Sequence, residues 1–360
     1  MKILKVYIFR IGAIGDALVS LPAVQVIRKL HQQTSFTLLV DEPANNKLTV
    51  WDVFKYSNCF DEVIFYNSKN IKLLLRLIYK IRTNPNRPKL LYYLSPFRTK
   101  KQAYRDKYFF KYFCGINQVI GIDESISKIA QRDKAGNLIR LEKESERLLE
   151  MIFRVQNISI NNETFPKVPL LIPTKQNYEK IDSILKNLSS NNILIAIGHS
   201  SKMLAKRWFL ERYRKLFRRL LNYNDNFTFL LFGGSEDFES GEEIRSFFRD
   251  KIINLAGKTN IIESAAALQR CVLYVGNDTG TMHLAAIMGI TVVGIFSARD
   301  NPGKWEPYGK EHVILRKDIS CAGCMLVECI EKNKKCLDEI SVDEVFKAIM
   351  LVFKNKNLVL

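Results

Sequence analysis

Short apolar runs alternate with longer stretches in which apolar residues return every three or four positions. The first run, over residues 3–9, ends in the loop Arg10-Ile11-Gly12-Ala13-Ile14-Gly15-Asp16. Leu18, Leu21, Val24, Ile27 and Leu30 then follow at helical spacing. Further strands are predicted over 36–40, 63–66, 90–94 and 119–122, those over 63–66 and 90–94 each followed by helix-like sequence. Periodicity is lost over 161–173, where three prolines fall, and this stretch reads as a linker. The alternation restarts with strands over 193–197, 227–232, 252–255, 272–275 and 291–295, and helices over 210–221 and 261–269. A last helix is predicted over 341–353, with Ser341 as N-cap and Glu344 at capping-box spacing. Strands alternating with helices imply parallel sheets covered on both faces. The expected organisation is α/β, with a first domain over 1–165, a linker over 166–176, a second domain over 177–340 and a C-terminal helix over 341–360.

Composition narrows this picture. With 47% hydrophobic and 26% charged residues, a chain of 360 residues can bury two cores. The N-terminal apolar run is too short for a signal peptide, and charge returns at Arg10 and Asp16. The uncharged stretch 279–298 is interrupted by His283, threonines and glycines, and reads as loop, helix and buried strand. A cytoplasmic protein is expected. The net charge of +18 is uneven: between Lys69 and Gly115 there are 13 Lys or Arg, one acid (Asp106) and ten Phe or Tyr. Cations mixed with aromatics suit an anionic membrane surface or glycolipid, and peripheral contact with the inner membrane is expected rather than nucleic-acid binding. A helix with a solvated basic face is the plainer alternative. Four of the seven cysteines cluster as Cys321, Cys324, Cys329 and Cys336. In a reducing compartment they read as plain thiols or an occasional disulfide, with a structural metal site as the alternative, although the spacing is not a standard zinc pattern.

Four loops follow predicted strands, at the end of an open parallel sheet where ligands bind. In the first, Gly12 and Gly15 permit a tight turn, and Asp16 reads as either a helix-capping carboxylate or a general base. The second, Gly198 to Trp208, brings Ser200, Ser201 and Lys206 together, a set suited to a diphosphate or to a solvated basic turn. The third, Gly233-Gly234-Ser235-Glu236-Asp237, offers carboxylates for ribose hydroxyls, with Asp237 read rather as a cap. The fourth runs through Asp278, Thr279, Gly280, Thr281 and His283 into an alanine-rich helix whose first amides form an anion site. His283 taken alone reads as structural rather than functional. No G-x-G-x-x-G fingerprint and no Asp-x-Asp triplet occur.

Together these loops resemble the glycosyltransferase family that includes the ADP-heptose:lipopolysaccharide heptosyltransferases. The likeness is carried by residues 10–16 with Leu21-Pro22-Ala23, by Lys206-Arg207-Trp208, by Gly233-Gly234, by residues 276–286 and by the Cys321, Cys324, Cys329 pattern. It departs at Thr281, where many relatives carry proline, and is weakest over 69–150. The resemblance implies the GT-B architecture, two Rossmann-like doubly wound domains facing each other across a cleft. It also implies inverting transfer from a nucleoside-diphosphate sugar, ADP-heptose favoured, to a lipid-linked glycan such as lipopolysaccharide core, with no metal and no further cofactor. The family's base falls on Asp16. Its donor contacts fall on Ser200, Ser201, Lys206, Asp278, Thr279, Gly280, Thr281 and His283, and its nucleoside-side acid near Glu236. A non-catalytic nucleotide-sugar or glycan-binding module is the alternative function. An NAD-dependent oxidoreductase on the same fold is disfavoured by the missing dinucleotide fingerprint.

Overall fold

The computed structural model describes residues 5–43, 48–86, 88–95, 98–123, 130–159 and 164–357. Ile3 and Leu4 of the expected first strand, and part of the expected linker (161–163), lie outside the described residues. The described chain divides into two units. One comprises Met1–Lys128 with Glu144–Leu170, the other Ile129–Lys143 with Leu171–Leu360.

The first unit runs β1 (Lys5–Phe9), α1 (Ile14–Leu30), β2 (Ser35–Asp41), α2 (Trp51–Phe54), β3 (Glu62–Tyr66), α3 (Ile71–Thr83), β4 (Lys89–Tyr93), α4 (Lys100–Tyr108), β5 (Gln118–Ile120) and α5 (Glu144–Val155). A π-helical run, Phe109–Phe113, extends α4. The sheet order is β3-β2-β1-β4-β5, and all its pairings are parallel. β1 and β4 are buried along their whole length, which is why both read as continuous apolar runs. Phe9 stacks on Tyr93 at 4.7 Å in the core, and Phe110 closes on Phe9 edge-on at 5.2 Å.

The second unit contains α6 (Lys175–Leu185), β6 (Ile193–Gly198), α7 (Leu210–Tyr223), β7 (Phe227–Leu231), α8 (Phe238–Phe248), β8 (Ile252–Asn254), α9 (Ile261–Leu268), β9 (Leu273–Asn277), α10 (Gly280–Ile287), β10 (Val292–Phe296), β11 (Val313–Arg316), α11 (Lys335–Asp338) and α12 (Val342–Asn355). Its parallel sheet has the order β11-β10-β9-β6-β7-β8. The expected strands are present, with ends shifted by a residue or two. β11, half-buried along its length, is a further strand beyond those predicted. Phe217 on α7 stacks on Phe229 of β7 at 4.4 Å, and Val345, Ile349 and Phe353 of α12 join the same core. The capping box of α12 is present: the Glu344 amide donates to Ser341 Oγ at 3.2 Å, and the Ser341 amide donates to Glu344 Oε2 at 2.9 Å.

Residues 130–143 leave the first unit's stretch of sequence and fold with the second. This irregular segment needs partners for its backbone, and the loop after β10 supplies them. Asn301 Nδ2 donates to the carbonyls of Gln131 and Ile139 at 3.0 and 2.9 Å, and the Leu141 amide donates to Pro302 O at 2.8 Å. Among the described residues no helix is long and apolar enough to cross a membrane. In each sheet the strand order reverses beside the first strand, between β1 and β4 and between β6 and β9. Loops leaving the carboxyl ends of those neighbours diverge and open a crevice for ligands.

Candidate functional site

The first reversal point is occupied by the β1–α1 turn. Arg10, fully buried, ends the strand and reaches back over it. Its guanidinium donates to the Asp16 carbonyl through Nε at 2.8 Å and to the carbonyl of Leu94 beyond β4, so it ties both central strands to the first turn of α1. Burial pulls the Arg10 pKa down, and the charges of Asp16 and Glu144 oppose that. Asp16 is not the N-cap residue. That position belongs to Ala13, which has no capping group, and Asp16 caps from the third helical position by accepting the Ala13 amide on Oδ2 at 2.9 Å. Its Oδ1 lies 3.5 Å from Arg10, and about a quarter of the side chain stays exposed. Gly12 is obligatory here: its φ is +121°, and a Cβ would stand 2.5 Å from Asp16 Oδ2. Gly15 sits inside the first turn of α1.

The second unit repeats this device. The Gly234 amide donates to Asp237 Oδ2 at 3.0 Å, and a Cβ on Gly233 would lie 2.7 Å from that oxygen. The two carboxylates differ in what their second oxygen does. Asp237 Oδ1 accepts the Ser200 hydroxyl, and Arg207 approaches at 3.8 Å. Asp237 is therefore consumed by structure, as its reading as a cap expected. Asp16 Oδ1 instead lies beside the buried Arg10 guanidinium and accepts no hydroxyl among the described residues, and the side chain stays partly exposed. Glu236 is exposed on the same turn.

At the second reversal point, between β6 and β9, the remaining candidates gather. Lys206 Nζ stands 2.5 Å from Asp278 Oδ2, and both side chains are about nine-tenths buried. Thr279 is the N-cap of α10, in extended conformation, with its hydroxyl 3.4 Å from Tyr274 Oη. Gly280 and Thr281 open the helix, so their amides have no partner within it. His283 Nε2 lies 3.9 Å from Asp278 Oδ1. Burial drives the His283 pKa down to about 4, so the ring is neutral near pH 7 despite the neighbouring carboxylate. Ser201 is buried at the end of β6, and its carbonyl accepts Arg207 Nε at 2.6 Å. The structure thus brings Lys206, Asp278, Thr279, Gly280, Thr281 and His283 together. Ser200 is adjacent, but its hydroxyl is committed to Asp237.

Three features escaped sequence reasoning. Asn277, fully buried, joins the loops: its amide donates to His199 O at 3.0 Å, and its Oδ1 accepts the Trp208 amide at 3.0 Å and Tyr213 Oη at 3.3 Å. Its position inside an apolar strand end was the available signal. Asp41 ends β2 with Oδ1 buried and without a hydrogen-bond partner among the described residues. Burial raises its pKa, the Gly12 amide opposes that, and the Asp16 charge adds to it. The loop after β10 adds a third wall next to Asp278, with Ser297, Asp300, Asn301, Trp305 and Glu306 lining a small pocket. It follows a strand at the same sheet end, the rule that picked out the other loops.

The four C-terminal cysteines are free thiols. Cys336 is raised in pKa by burial and by the other three. Among the described residues no three His, Cys, Asp or Glu side chains are arranged to hold a metal ion.

Two doubly wound parallel sheets, each with its loops at the carboxyl edge, define a GT-B type of fold. The sequence pattern of glycosyltransferase family 9 (heptosyltransferase) matches residues 147–335, more than half of the chain, which belongs to that family. Lipooligosaccharide heptosyltransferase 2 of Campylobacter jejuni is 28% identical over 224 residues, covering 60% of this chain and 66% of that protein. The chain thus spans just under two thirds of that relative. A glycosyltransferase family 9 structure from Veillonella parvula superposes with a TM-score of 0.74 at 19% identity, covering 99% of this chain and 98% of the other. The ADP-heptose lps heptosyltransferase II of E. coli does so with a TM-score of 0.67 at 18% identity, covering 98% and 100%. At these identities the two structures establish the shared fold.

Proposed function

We propose that the chain transfers a heptosyl group from ADP-heptose to a lipid-linked glycan of the lipopolysaccharide-core type, with inversion and without a metal. The observation that carries this reading is the buried Lys206–Asp278 pair, whose aspartate immediately precedes the Thr279 N-cap of α10. A diphosphate placed there meets an ammonium and unpaired N–H groups, the donors that stabilise charge growing on a leaving group. Ser201, Thr279, Thr281 and neutral His283 supply further hydrogen bonds, and Glu236 takes a ribose hydroxyl.

In the reaction, Asp16 accepts the proton of the acceptor hydroxyl as its oxygen attacks the anomeric carbon from the face opposite the diphosphate. The bond from that carbon to the diphosphate oxygen breaks, and the nucleoside diphosphate leaves with its charge met by Lys206. Asp278 holds the Lys206 ammonium in place. Arg10 fixes the turn that presents Asp16. The first unit is assigned the acceptor, the second the donor, and the place of action is the cytoplasmic face of the inner membrane.

The test is incubation of the purified chain with ADP-heptose and lipopolysaccharide lacking core heptose, followed by mass spectrometry of the glycolipid. One added heptosyl group is expected. Donor binding without any transfer would reduce the chain to a binding module.

A further inference from the structure

We propose that the outer face of α3 and α4 is a docking surface for an anionic bilayer. This deepens the reading of a lipid-linked acceptor. On α3, Ile71, Leu75 and Tyr79 recur every fourth residue, and each is more than half exposed, while Leu77 and Ile81 fill the core on the opposite side. On α4 and its π-helical extension, Tyr104, Tyr108, Tyr112 and Phe113 repeat the arrangement, also more than half exposed. The Tyr108 and Tyr112 rings stack at 5.7 Å. The two stripes belong to one layer. Leu77, Ile81, Ala103 and Phe110 share a core cluster, and Arg82 at the end of α3 donates to the carbonyls of Tyr112 and Phe113 at 3.1 Å.

A helix stabilised only by its own fold turns polar residues to water. Here two neighbouring helices present aliphatic and aromatic side chains instead. Cations flank them: Lys72 and Arg76 on α3, and Lys100, Lys101 and Lys111 along α4 and its extension, all exposed. The one acid between Lys69 and Gly115, Asp106, is buried and already accepts Tyr93 Oη at 2.6 Å and Arg105 at 2.7 Å. Charge complementarity therefore selects an anionic occupant. A second copy of this chain would bring like charges together. Ile71 and Leu75 offer a nucleic acid nothing to stack on, whereas the headgroup boundary of a bilayer takes up aliphatic side chains, tyrosine rings and cations at once.

The experiment is co-sedimentation of the full chain with phosphatidylglycerol-containing vesicles and with pure phosphatidylcholine vesicles, at low and high salt, without donor or acceptor. Binding to the anionic vesicles alone, weakened by salt, is expected. Replacing Lys100, Lys101 and Lys111 by glutamine lowers it by about 10-fold or more. Ile71→Ser with Leu75→Ser lowers the fraction that survives high salt. Unchanged thermal midpoints of these surface variants show that folding is not the cause. Equal sedimentation of wild type and both variants would overturn the proposal. So would equal binding to neutral vesicles, preferential binding of single-stranded RNA, or self-association lost in the same variants. Sugar transfer is not measured here, so this surface and the proposed reaction stand or fall separately.

Discussion

Lys206 and Asp278 form a buried ion pair, Nζ to Oδ2 at 2.5 Å, linking the loop after β6 to the start of α10. Separation of a buried pair leaves an uncompensated charge, so the lysine is held ready at a fixed point. Removing it by Lys206→Ala should weaken binding of ADP by about 10- to 100-fold, the equivalent of about 1.5–3 kcal/mol for a charge-assisted contact, and leave adenosine binding unchanged. Calorimetric titration of both ligands decides it. An equal loss for the nucleoside would remove Lys206 from the diphosphate.

Asp16 combines a capping contact through Oδ2 with an Oδ1 beside buried Arg10, on a side chain about a quarter exposed. Asparagine preserves an acceptor for the Ala13 amide but removes the charge beside buried Arg10, so Asp16→Asn should lower the thermal midpoint while the chain stays folded at the assay temperature. Turnover should fall by about 100-fold or more at saturating acceptor, the scale of a lost general base. Turnover close to wild type would leave Asp16 with the cap alone.

Asn277 holds three segments by hydrogen bonds to His199 O, the Trp208 amide and Tyr213 Oη. Asn277→Ala leaves buried donors and acceptors unpaired and should cost about 2–4 kcal/mol in stability. Denaturant titration measures this. A loss below about 0.5 kcal/mol, the range of ordinary surface substitutions, would mean that the loops are held by other contacts.

His199 and His283 are both held by burial at a pKa of about 4, against 6.5 when exposed. Each is neutral in the folded chain, while the unfolded chain takes up protons below about 6.5. The stability they contribute is full above that pH and is lost as pH falls toward 4, by up to about 3 kcal/mol for each ring. Thermal midpoints should drop across this window, and His199→Gln should flatten the drop. A midpoint independent of pH between 6.5 and 4 would contradict the burial of both rings.

If Lys206 and the α10 amides carry the leaving-group charge, transfer needs no divalent ion. Turnover should persist after dialysis against EDTA. Loss of turnover with the fold intact, restored by magnesium or manganese, would overturn the metal-free reaction.

Most of the fold was legible in the pattern of residues. Parallel strands buried on both faces leave continuous apolar runs, and the glycine, hydroxyl and charged residues that follow them mark the carboxyl ends where loops can meet a ligand. Hence β1, β6 and β9, and the turns carrying Asp16, Lys206 and Asp278, could be placed from local sequence. The partnership of Lys206 with Asp278, separated by 72 positions, could not, because parallel pairing of β6 with β9 creates it. The same holds for Arg10 reaching Leu94, for Asn277 bridging three loops and for residues 130–143 joining the second unit. Tertiary structure also separated two carboxylates that look alike in sequence. Asp16 and Asp237 each follow a glycine turn and each take an amide three residues back, but only Asp237 meets a serine hydroxyl from another strand's loop. Local periodicity reports which face of an element is buried. Which polar groups face each other inside depends on the order and register of the strands, which no short stretch of chain contains.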